Sequence, residues 1–312
     1  MPQPFALIFP GQGSQHLGML RELAKEQVVV RETFCEASSA LGYDLWLLTQ
    51  TGPREKLDQT QYTQPALLAA GVAVFRCWEI LGGPLPKVMA GHSLGEYTAL
   101  VCAEALQFTD AIRLVKNRGR YMQEAVPIEE GAMGVIIGLS ELQIRAICKE
   151  SSQNSVVSPA NLNSPVQIVI SGEVSAVNRA LVSARIQGAK IAKRIPVSVP
   201  SHSSLMNPAA KRFSYDLAKT SITSPKIPVI HNVDTSEHYR IEAIRHALIK
   251  QLVSPVRWVE TIQKMVRQGI KFFGECGVGH TLLDLNKRIE CQSKTFPLTV
   301  TKLILSAIKL VK

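Results

Sequence analysis

The feature that most constrains this chain is the five-residue motif Gly91-His92-Ser93-Leu94-Gly95, which lies between an apolar run and a helix-like pattern. The run Val88-Met89-Ala90 is typical of a buried strand, and apolar residues recur at helical spacing from Tyr97 onward. A serine at a sharp strand-to-helix turn needs small residues two positions away on either side, because the backbone there is strained and closely packed. The turn leaves the serine Oγ exposed. The sequence therefore predicts an α/β layer with Ser93 as a nucleophile and the N–H of Leu94 facing a developing oxyanion.

A second glycine-containing loop follows the first apolar run. Residues 5–9 are typical of a buried strand, and Gly11-Gln12-Gly13-Ser14-Gln15 comes directly after it. Two glycines around Gln12 allow the backbone to approach a ligand closely, and the alternative is a plain turn. The loop is not a dinucleotide-binding fingerprint, since His16 stands where the third glycine would be required.

Two helices are predicted on either side of the serine motif. An apolar helical pattern covers residues 66–81, and Pro65 is placed in its first turn. A second helix covers about residues 109–125 and carries four basic side chains. Arginines on a helix are usually solvated. Arg118 is the exception of interest, because the adjacent Gly119 lets another chain segment or a ligand come close.

Residues 131–199 form a unit with the order β-α-β-β-α-β, which is typical of a ferredoxin-like module. The predicted strands cover 131–139, 156–157, 167–170 and 190–199, with a turn at 161–165. Helices are predicted at 141–149, behind a Ser140/Gln143 capping box, and at 174–186. We therefore predict an α/β fold in two parts. A large α/β-hydrolase-like subdomain with a mostly parallel sheet covers 1–127 and 200–312, and a ferredoxin-like insertion covers 128–199.

A candidate base lies downstream of this insertion. His202 stands in the loop Val199-Pro200-Ser201-His202-Ser203, where acyl transfer by Ser93 would need one. Further strands are predicted at 227–234 and 270–273, and a helix opens at 255–258. The tail at 299–312 predicts an amphipathic helix that docks on the core, with a membrane-surface helix as the alternative. Its apolar stripe comprises Leu303, Ile304, Ala307, Ile308 and Val311.

Composition restricts the functional classes. The chain has 312 residues, of which 46% are hydrophobic, and no apolar run reaches the length of a membrane-spanning helix. No basic region precedes the first apolar run, so we expect no secretory signal. The six cysteines are scattered without metal-ligand spacing, which predicts a reducing cytoplasm and no metal site. The net charge of +10 favours anionic partners, although a solvated basic surface is the alternative, and few aromatic residues make nucleic acid the weakest choice.

Several stretches together resemble the malonyl-CoA:acyl-carrier-protein transacylases of fatty-acid synthesis. They occur in that family's order over nearly the whole chain. The resembling stretches are 9–15, 63–67, 91–97, Arg118-Gly119 with Met122-Gln123, 160–165, 199–202, 232–234, and 251–252 with 255–258.

The resemblance implies a role for each candidate site residue. Ser93 is the nucleophile that forms a malonyl ester, and His202 is its general base and acid. The backbone N–H groups of Gln12 and Leu94 form the oxyanion hole, and Arg118 pairs with the malonyl carboxylate. The remaining implied roles are a backbone carbonyl of Gln251 that orients His202, and pocket-lining side chains at Gln64 and Asn163.

The resemblance also implies the partners, namely malonyl-CoA and an acidic acyl carrier protein, with no permanently bound cofactor. We expect a monomer, although the sequence leaves the oligomeric state open. Basic residues that could dock the carrier protein, each with solvation as the alternative, are Lys190, Lys193, Arg194, Lys287 and Arg288. A serine hydrolase or thioesterase is the competing enzyme class, and Asp110 and Glu173 are acids at a suitable place in the chain order. The sequence is also compatible with a transferase for a different extender unit in polyketide synthesis and with an inactive carrier-protein scaffold.

Overall fold

The structure is a computed structural model that describes residues 3–127, 129–197 and 199–312. Within these ranges strands and helices are distributed along the whole chain, with several helices following one another after the first strand. The strands are β1 (Phe5–Phe9), β2 (Val88–Gly91), β3 (Gly131–Ile137), β4 (Val157–Ser164), β5 (Gln167–Glu173), β6 (Ile191–Arg194), β7 (Val229–Ile230), β8 (Phe272–Glu275) and β9 (Lys294–Pro297). The helices are α1 (Arg21–Glu26), α2 (Val28–Leu41), α3 (Leu45–Thr51), α4 (Arg54–Leu57), α5 (Thr60–Ile80), α6 (Gly95–Cys102), α7 (Phe108–Glu124), α8 (Glu141–Ser152), α9 (Val174–Ile186), α10 (Asn207–Lys219), α11 (Ile241–Gln251), α12 (Trp258–Arg267), α13 (Thr281–Ile289) and α14 (Thr301–Val311), with a short 3₁₀ helix at Ser204–Met206.

The central sheet has five strands in the order β7-β2-β1-β8-β9, and every neighbouring pair is parallel. Side chains of β1 alternate between its two faces. Phe5, Leu7 and Phe9 pack into one core cluster, whereas Ala6 and Ile8 pack into another. Burial of each large apolar side chain stabilises the fold by roughly 1.5–3 kcal/mol. Because both faces of this strand are buried, its sequence is a continuous run of hydrophobic residues. The predicted parallel sheet is confirmed, and its strands all end at one edge.

The second sheet has four antiparallel strands in the order β4-β5-β3-β6, with α8 and α9 packed against it. This is the predicted ferredoxin-like arrangement, in which the first and third strands lie in the middle. Strand β4 also joins the two parts of the fold, because the backbone of Val256 exchanges hydrogen bonds with Ala160 and Leu162. The boundary predicted at residue 128 lies outside the described residues, so the proposed division of the chain stays a prediction.

Two predicted elements differ at their ends from the observed ones. Helix α5 begins at Thr60, so that Pro65 lies inside the helix and not in its first turn. The ring of Pro65 costs one hydrogen bond near the helix start, where the polar residues ahead of it are buried against neighbouring segments. The turn predicted at 161–165 is wrong as well, because β4 continues to Ser164 and only residues 165–166 turn.

Strands β6 and β7 are shorter than predicted. Strand β6 ends at Arg194, and the predicted segment beyond it includes residue 198, which lies outside the described residues. Strand β7 contains only Val229–Ile230. Pro228 has no N–H with which to pair in the sheet, and the two residues after Ile230 bind the side chain of Glu96 instead of a neighbouring strand.

The C-terminal tail forms α14 and docks on the core, as predicted. Ile304, Ala307, Ile308 and Val311 are buried in the main cluster. Leu303 was predicted on the same stripe, but it lies at the margin of the contact and is 38% exposed. None of the described helices has the length and apolar character needed to cross a membrane.

Candidate active site

Ser93 lies on a sharp turn between β2 and α6, as the sequence predicts. Its φ is 52°, in the left-handed region that residues with side chains rarely adopt. The turn is closely packed on both sides. A Cβ at Gly91 would lie 1.8 Å from the carbonyl carbon of Gly95, and a Cβ at Gly95 would lie 2.0 Å from the oxygen of Phe9. Only glycine fits these two positions, which is the reason for the spacing of the motif.

Three adjacent parallel strands deliver polar groups to this turn. In the spatial order β7-β2-β1, the segments after the strands carry Asn232, Ser93 and Gln12. The Ser93 N–H donates to Asn232 Oδ1 at 2.8 Å, and Asn232 Nδ2 donates to the carbonyl of Gly91 at 2.7 Å. The amide of Asn232 therefore holds the turn in place from the neighbouring strand.

Gln12 and Leu94 line the same cavity as Ser93. Within the described residues, the N–H groups of Gln12 and Leu94 have no protein acceptor. The loop after β1 runs directly against the serine turn, since a Cβ at Gly11 would lie 2.5 Å from the carbonyl oxygen of His92. This arrangement can supply two donors to an oxyanion formed at a substrate carbonyl.

His202 is in hydrogen-bond contact with the serine. Its Nε2 lies 2.8 Å from Ser93 Oγ, and its Nδ1 lies 2.8 Å from the carbonyl oxygen of Gln251. A carbonyl only accepts, so Nδ1 carries the proton and Nε2 presents its lone pair to the hydroxyl. Gln251 is the last residue of α11, where a helix leaves carbonyl groups without intrahelical partners.

Neither acid considered for a serine hydrolase faces the imidazole. Asp110 accepts from Arg113 on the protein surface, and Glu173 accepts from the backbone N–H of Val156. The position of a triad acid is taken by the main-chain carbonyl of Gln251. A carbonyl fixes the tautomer but carries no full negative charge.

Burial lowers the pKa of His202 to about 3, and the positive charge of Arg118 is the second cause. The hydrogen bond to the carbonyl of Gln251 raises the pKa, but by less. His202 is therefore unprotonated at neutral pH. An unprotonated imidazole beside a serine hydroxyl can act as a general base.

Arg118 is a buried cation beside the reactive hydroxyl. It is 1% exposed, and its guanidinium donates to Gln64 Oε1 at 2.8 Å and to Gln251 Oε1 at 3.0 Å. Its Nη2 also lies 3.4 Å from Ser93 Oγ. Among the described residues, no carboxylate lies within ion-pair distance of it. A buried guanidinium whose hydrogen-bond acceptors are all neutral can receive an anionic group.

Gly119 explains how Arg118 reaches the site. A Cβ at Gly119 would lie 2.6 Å from the carbonyl oxygen of Thr60 and 2.8 Å from Cα of Gln61. Helix α7 therefore crosses the start of α5 at close range, and this contact brings Gln64 to the guanidinium. The sequence-based expectation of a close approach at Gly119 is confirmed, and the approaching segment is α5.

We expect Gly119→Ala to destabilise the fold by about 1–3 kcal/mol, because the added methyl group forces α5 away from α7. Urea unfolding monitored by circular dichroism measures the change. Gln123→Ala, at a partly exposed position of the same helix, is the matched control and should change stability by less than about 0.5 kcal/mol. Equal stability of the two variants would contradict the close contact.

The cavity at the serine has a volume of about 100 Å³. It is lined by Gln12, Gln64, His92, Ser93, Leu94, Arg118, Met122, Met133, Asn161, Ile195, Val197, Ser201 and His202. Gln64, predicted to line the pocket, is among them. Asn163 is not: its Oδ1 lies 2.8 Å from His92 Nε2, behind the wall, and Asn161 stands at the lining. The β4–β5 register shifts between Leu162 and Ser164, so alternation along β4 does not place both asparagines alike.

The comparisons with known proteins agree with this geometry. Residues 6–288 match the family model described as acyl transferase domain. The malonyl CoA-acyl carrier protein transacylase of Escherichia coli K12 is 52% identical over 285 residues, which cover 91% of this chain and 92% of that protein. The solved malonyl CoA-acyl carrier protein transacylase from Coxiella burnetii is 65% identical, with a TM-score of 0.99 over 100% of this chain and 98% of that one. The chain belongs to the malonyl CoA-acyl carrier protein transacylase family.

A further solved member of the transacylase family is a malonyl-transacylase in complex with its type II polyketide synthase acyl-carrier protein. It is 51% identical, with a TM-score of 0.98 over 99% of this chain and 100% of that one. The fold predicted from the sequence is therefore that of solved transacylases.

Sequence reasoning missed several residues of this transacylase site. Glu96 and Asn232 lie within stretches that carry the family resemblance, yet no role was predicted for them. Both are fully buried and polar. Each follows the carboxyl end of a strand of the parallel sheet, Glu96 in the first turn of α6 after β2 and Asn232 directly after β7. A polar residue at such a place is the signal that could have identified them, although periodicity does not specify the partners that it needs.

No group of three or more His, Cys, Asp or Glu side chains is placed to hold a metal ion in the part of the transacylase that the structure describes. The six cysteines are free thiols, four of them buried.

Proposed function

We propose that this chain transfers the malonyl group of malonyl-CoA to the phosphopantetheine thiol of acyl carrier protein, for fatty-acid synthesis. The observation that carries the proposal is the position of Arg118, a buried guanidinium without a carboxylate partner in the described chain, 3.4 Å from Ser93 Oγ. A malonyl group keeps a free carboxylate after it is esterified. A planar guanidinium can hold that carboxylate with two parallel hydrogen bonds, which an acetyl group cannot accept.

The first half-reaction acylates the serine. His202 Nε2 takes the proton of Ser93 Oγ while the oxygen attacks the thioester carbonyl carbon. The N–H groups of Gln12 and Leu94 stabilise the oxyanion of the tetrahedral intermediate. When the C–S bond breaks, the imidazolium returns the proton to the departing sulfur of coenzyme A. The carbonyl of Gln251 keeps the ring in the correct tautomer throughout.

The second half-reaction repeats these steps with a different thiol. His202 takes the proton of the phosphopantetheine thiol, the sulfur attacks the malonyl ester, and Ser93 recovers its proton when the ester bond breaks. Each step uses groups of the chain itself, so we propose that malonyl-CoA is a substrate and that no further cofactor is required. Gln64 and Gln251 hold the guanidinium of Arg118 while the acyl group is exchanged.

An acidic carrier protein is the expected partner of a chain with a net charge of +10. The five basic residues predicted for docking are all exposed. Lys190 and Arg288 lie toward one end of the small sheet, because Lys190 bonds the backbone of Ile137 and Arg288 bonds Gln167, which pairs with Ile137. Lys193 and Arg194 follow along the edge strand β6. We propose this end as the docking surface, and we propose that a monomer carries out the reaction in the cytoplasm, where the free thiols stay reduced.

Incubation with malonyl-CoA in the absence of carrier protein should add one malonyl mass to the peptide that contains Ser93, and added carrier protein should remove it. The ester should accumulate because no carrier-protein thiol is present to accept the acyl group. Mass spectrometry of a digest measures the label. Ser93→Ala should take up none, whereas Ser39→Ala, at an exposed position on α2, should label fully. Active protein with no label on Ser93 would overturn the proposal.

A further inference from the structure

Glu96 is a buried carboxylate just behind the active site. It lies in the first turn of α6, is fully buried, and is absent from the cavity lining. Its Oε1 lies 2.7 Å from His231 Nδ1, and its Oε2 accepts from the backbone N–H of Asn232 and from Gln251 Nε2, both at 2.9 Å. A carboxylate without solvent needs several donors, and these three contacts supply them.

The contact with Gln251 decides which way its side-chain amide points. The two ends of an amide differ, since the nitrogen donates and the oxygen accepts. Gln251 Nε2 donates to Glu96 Oε2 and also to the carbonyl oxygen of Ser93, each at 2.9 Å. A flipped amide would turn its oxygen toward two other oxygens, so the observed orientation is the only one that satisfies both contacts.

The same orientation serves Arg118. Because Nε2 faces Glu96, Gln251 Oε1 faces the guanidinium and accepts from Nη2 at 3.0 Å. Were the amide reversed, two donors would face each other and the guanidinium would lose one of its two amide acceptors. The side chain of Gln251 thus links Glu96 to Arg118 through hydrogen bonds at both ends of its amide.

The same carboxylate is also linked to the serine turn, through Asn232. Asn232, whose N–H is bound by Glu96, accepts from the Ser93 N–H and donates to the carbonyl of Gly91. Glu96 is therefore joined by hydrogen bonds both to the backbone that carries the nucleophile and to the side chain that holds Arg118.

We propose that Glu96 is a positioning residue for acyl-group selection: through Gln251 it holds the Arg118 guanidinium where the carboxylate of the acyl group meets it. The inference rests on the proposed malonyl transfer. It differs from a role in folding alone, because misplacing Arg118 penalises an acyl group with a carboxylate more than one without.

The test compares kcat/KM for malonyl-CoA with kcat/KM for acetyl-CoA in the purified full-length chain with carrier protein. Glu96→Ala should lower the malonyl-to-acetyl ratio about tenfold, the effect of losing a hydrogen bond to a charged group. Glu96→Gln should stay within about threefold of wild type, since its amide oxygen can still accept from Asn232 and Gln251 while its nitrogen faces His231 in the other tautomer. Gln251→Met keeps the backbone carbonyl that binds His202, and it should lower the malonyl-to-acetyl ratio in the same way. This variant provides the test if Glu96→Ala does not fold.

Glu275→Ala is the matched control. Glu275 is also fully buried and also accepts backbone N–H groups, but these belong to Leu282 and Leu283 and not to the residues that hold Arg118 or the serine turn. Its loss should lower stability without changing the acyl-group ratio. An unchanged ratio in Glu96→Ala, or in Gln251→Met, would overturn the inference while malonyl transfer by the wild type stands. Absence of malonyl transfer by the wild type would instead overturn the proposed function.

Discussion

Replacing Arg118 with alanine should lower kcat/KM for malonyl transfer by about 10²- to 10⁴-fold, while acetyl transfer holds or rises. The carboxylate of a bound malonyl group would lose its partner inside the cavity, and an unpaired buried charge costs about 3–5 kcal/mol. An acetyl group has no such charge. In the variant it would bind in a cavity that no longer contains an unpaired cation. Steady-state transfer to carrier protein, with each acyl-CoA in turn, measures both effects.

Two further variants show what the guanidinium contributes. Arg118→Lys should fall between wild type and Arg118→Ala, because an ammonium keeps the charge but lacks the planar fork that matches a carboxylate. Arg120→Ala, at an exposed position of the same helix, should leave both activities near wild type. Losses of equal size for malonyl and acetyl in Arg118→Ala would show that Arg118 supports the fold or the nucleophile and does not bind the acyl carboxylate.

Replacing His202 with alanine should lower transfer of both acyl groups by about 10²- to 10⁴-fold, the usual contribution of a positioned general base. The loss should be equal for malonyl and acetyl, since the imidazole acts on the serine and the thiol and not on the distal end of the acyl group. The rate at which malonyl mass appears on Ser93 reports the same step without carrier protein. His246→Ala, at an exposed position, serves as the control.

The wild-type pH profile tests the environment of His202. Since burial and the charge of Arg118 lower the pKa of His202 to about 3, the base stays unprotonated as pH falls from 8 to 5. The pH dependence of kcat/KM for malonyl-CoA reports the pKa values of essential groups in the free enzyme. It should therefore show no loss near pH 6.5, where an ordinary histidine gains its proton. A decline to half of the maximum near pH 6.5 would contradict the low pKa.

The chemistry of the turn could be predicted from local sequence because local sterics determine it. Glycines at 91 and 95 are required by contacts within a few residues of Ser93 and by the adjacent strand. The order of strands and helices around residues 131–194 also follows from short-range periodicity, and the capping box at Ser140 was correctly placed.

The distances across the site could not be predicted in this way. That Arg118 comes within 3.4 Å of Ser93 Oγ depends on how α7 crosses α5, which the pattern of either helix leaves undetermined. The role of Gln251 was expected from the resemblance alone, since any residue type has a carbonyl and no composition signal marks one. Asn161 replaces Asn163 at the cavity wall because the register of β4 shifts between Leu162 and Ser164, where no glycine or proline indicates an irregular strand.

Stability of the fold and catalysis make opposite demands on Ser93 and His202, the two residues that exchange the proton. Ser93 and His202 both carry side chains on left-handed backbone, with φ of 52° and 61°. That conformation costs a residue with a Cβ about 1–2 kcal/mol more than it costs glycine. Glycine at either position would relieve the strain and delete the reacting group. The strain at these two positions therefore cannot be removed by glycine without loss of the reaction, and stabilising substitutions have to be made elsewhere in the chain.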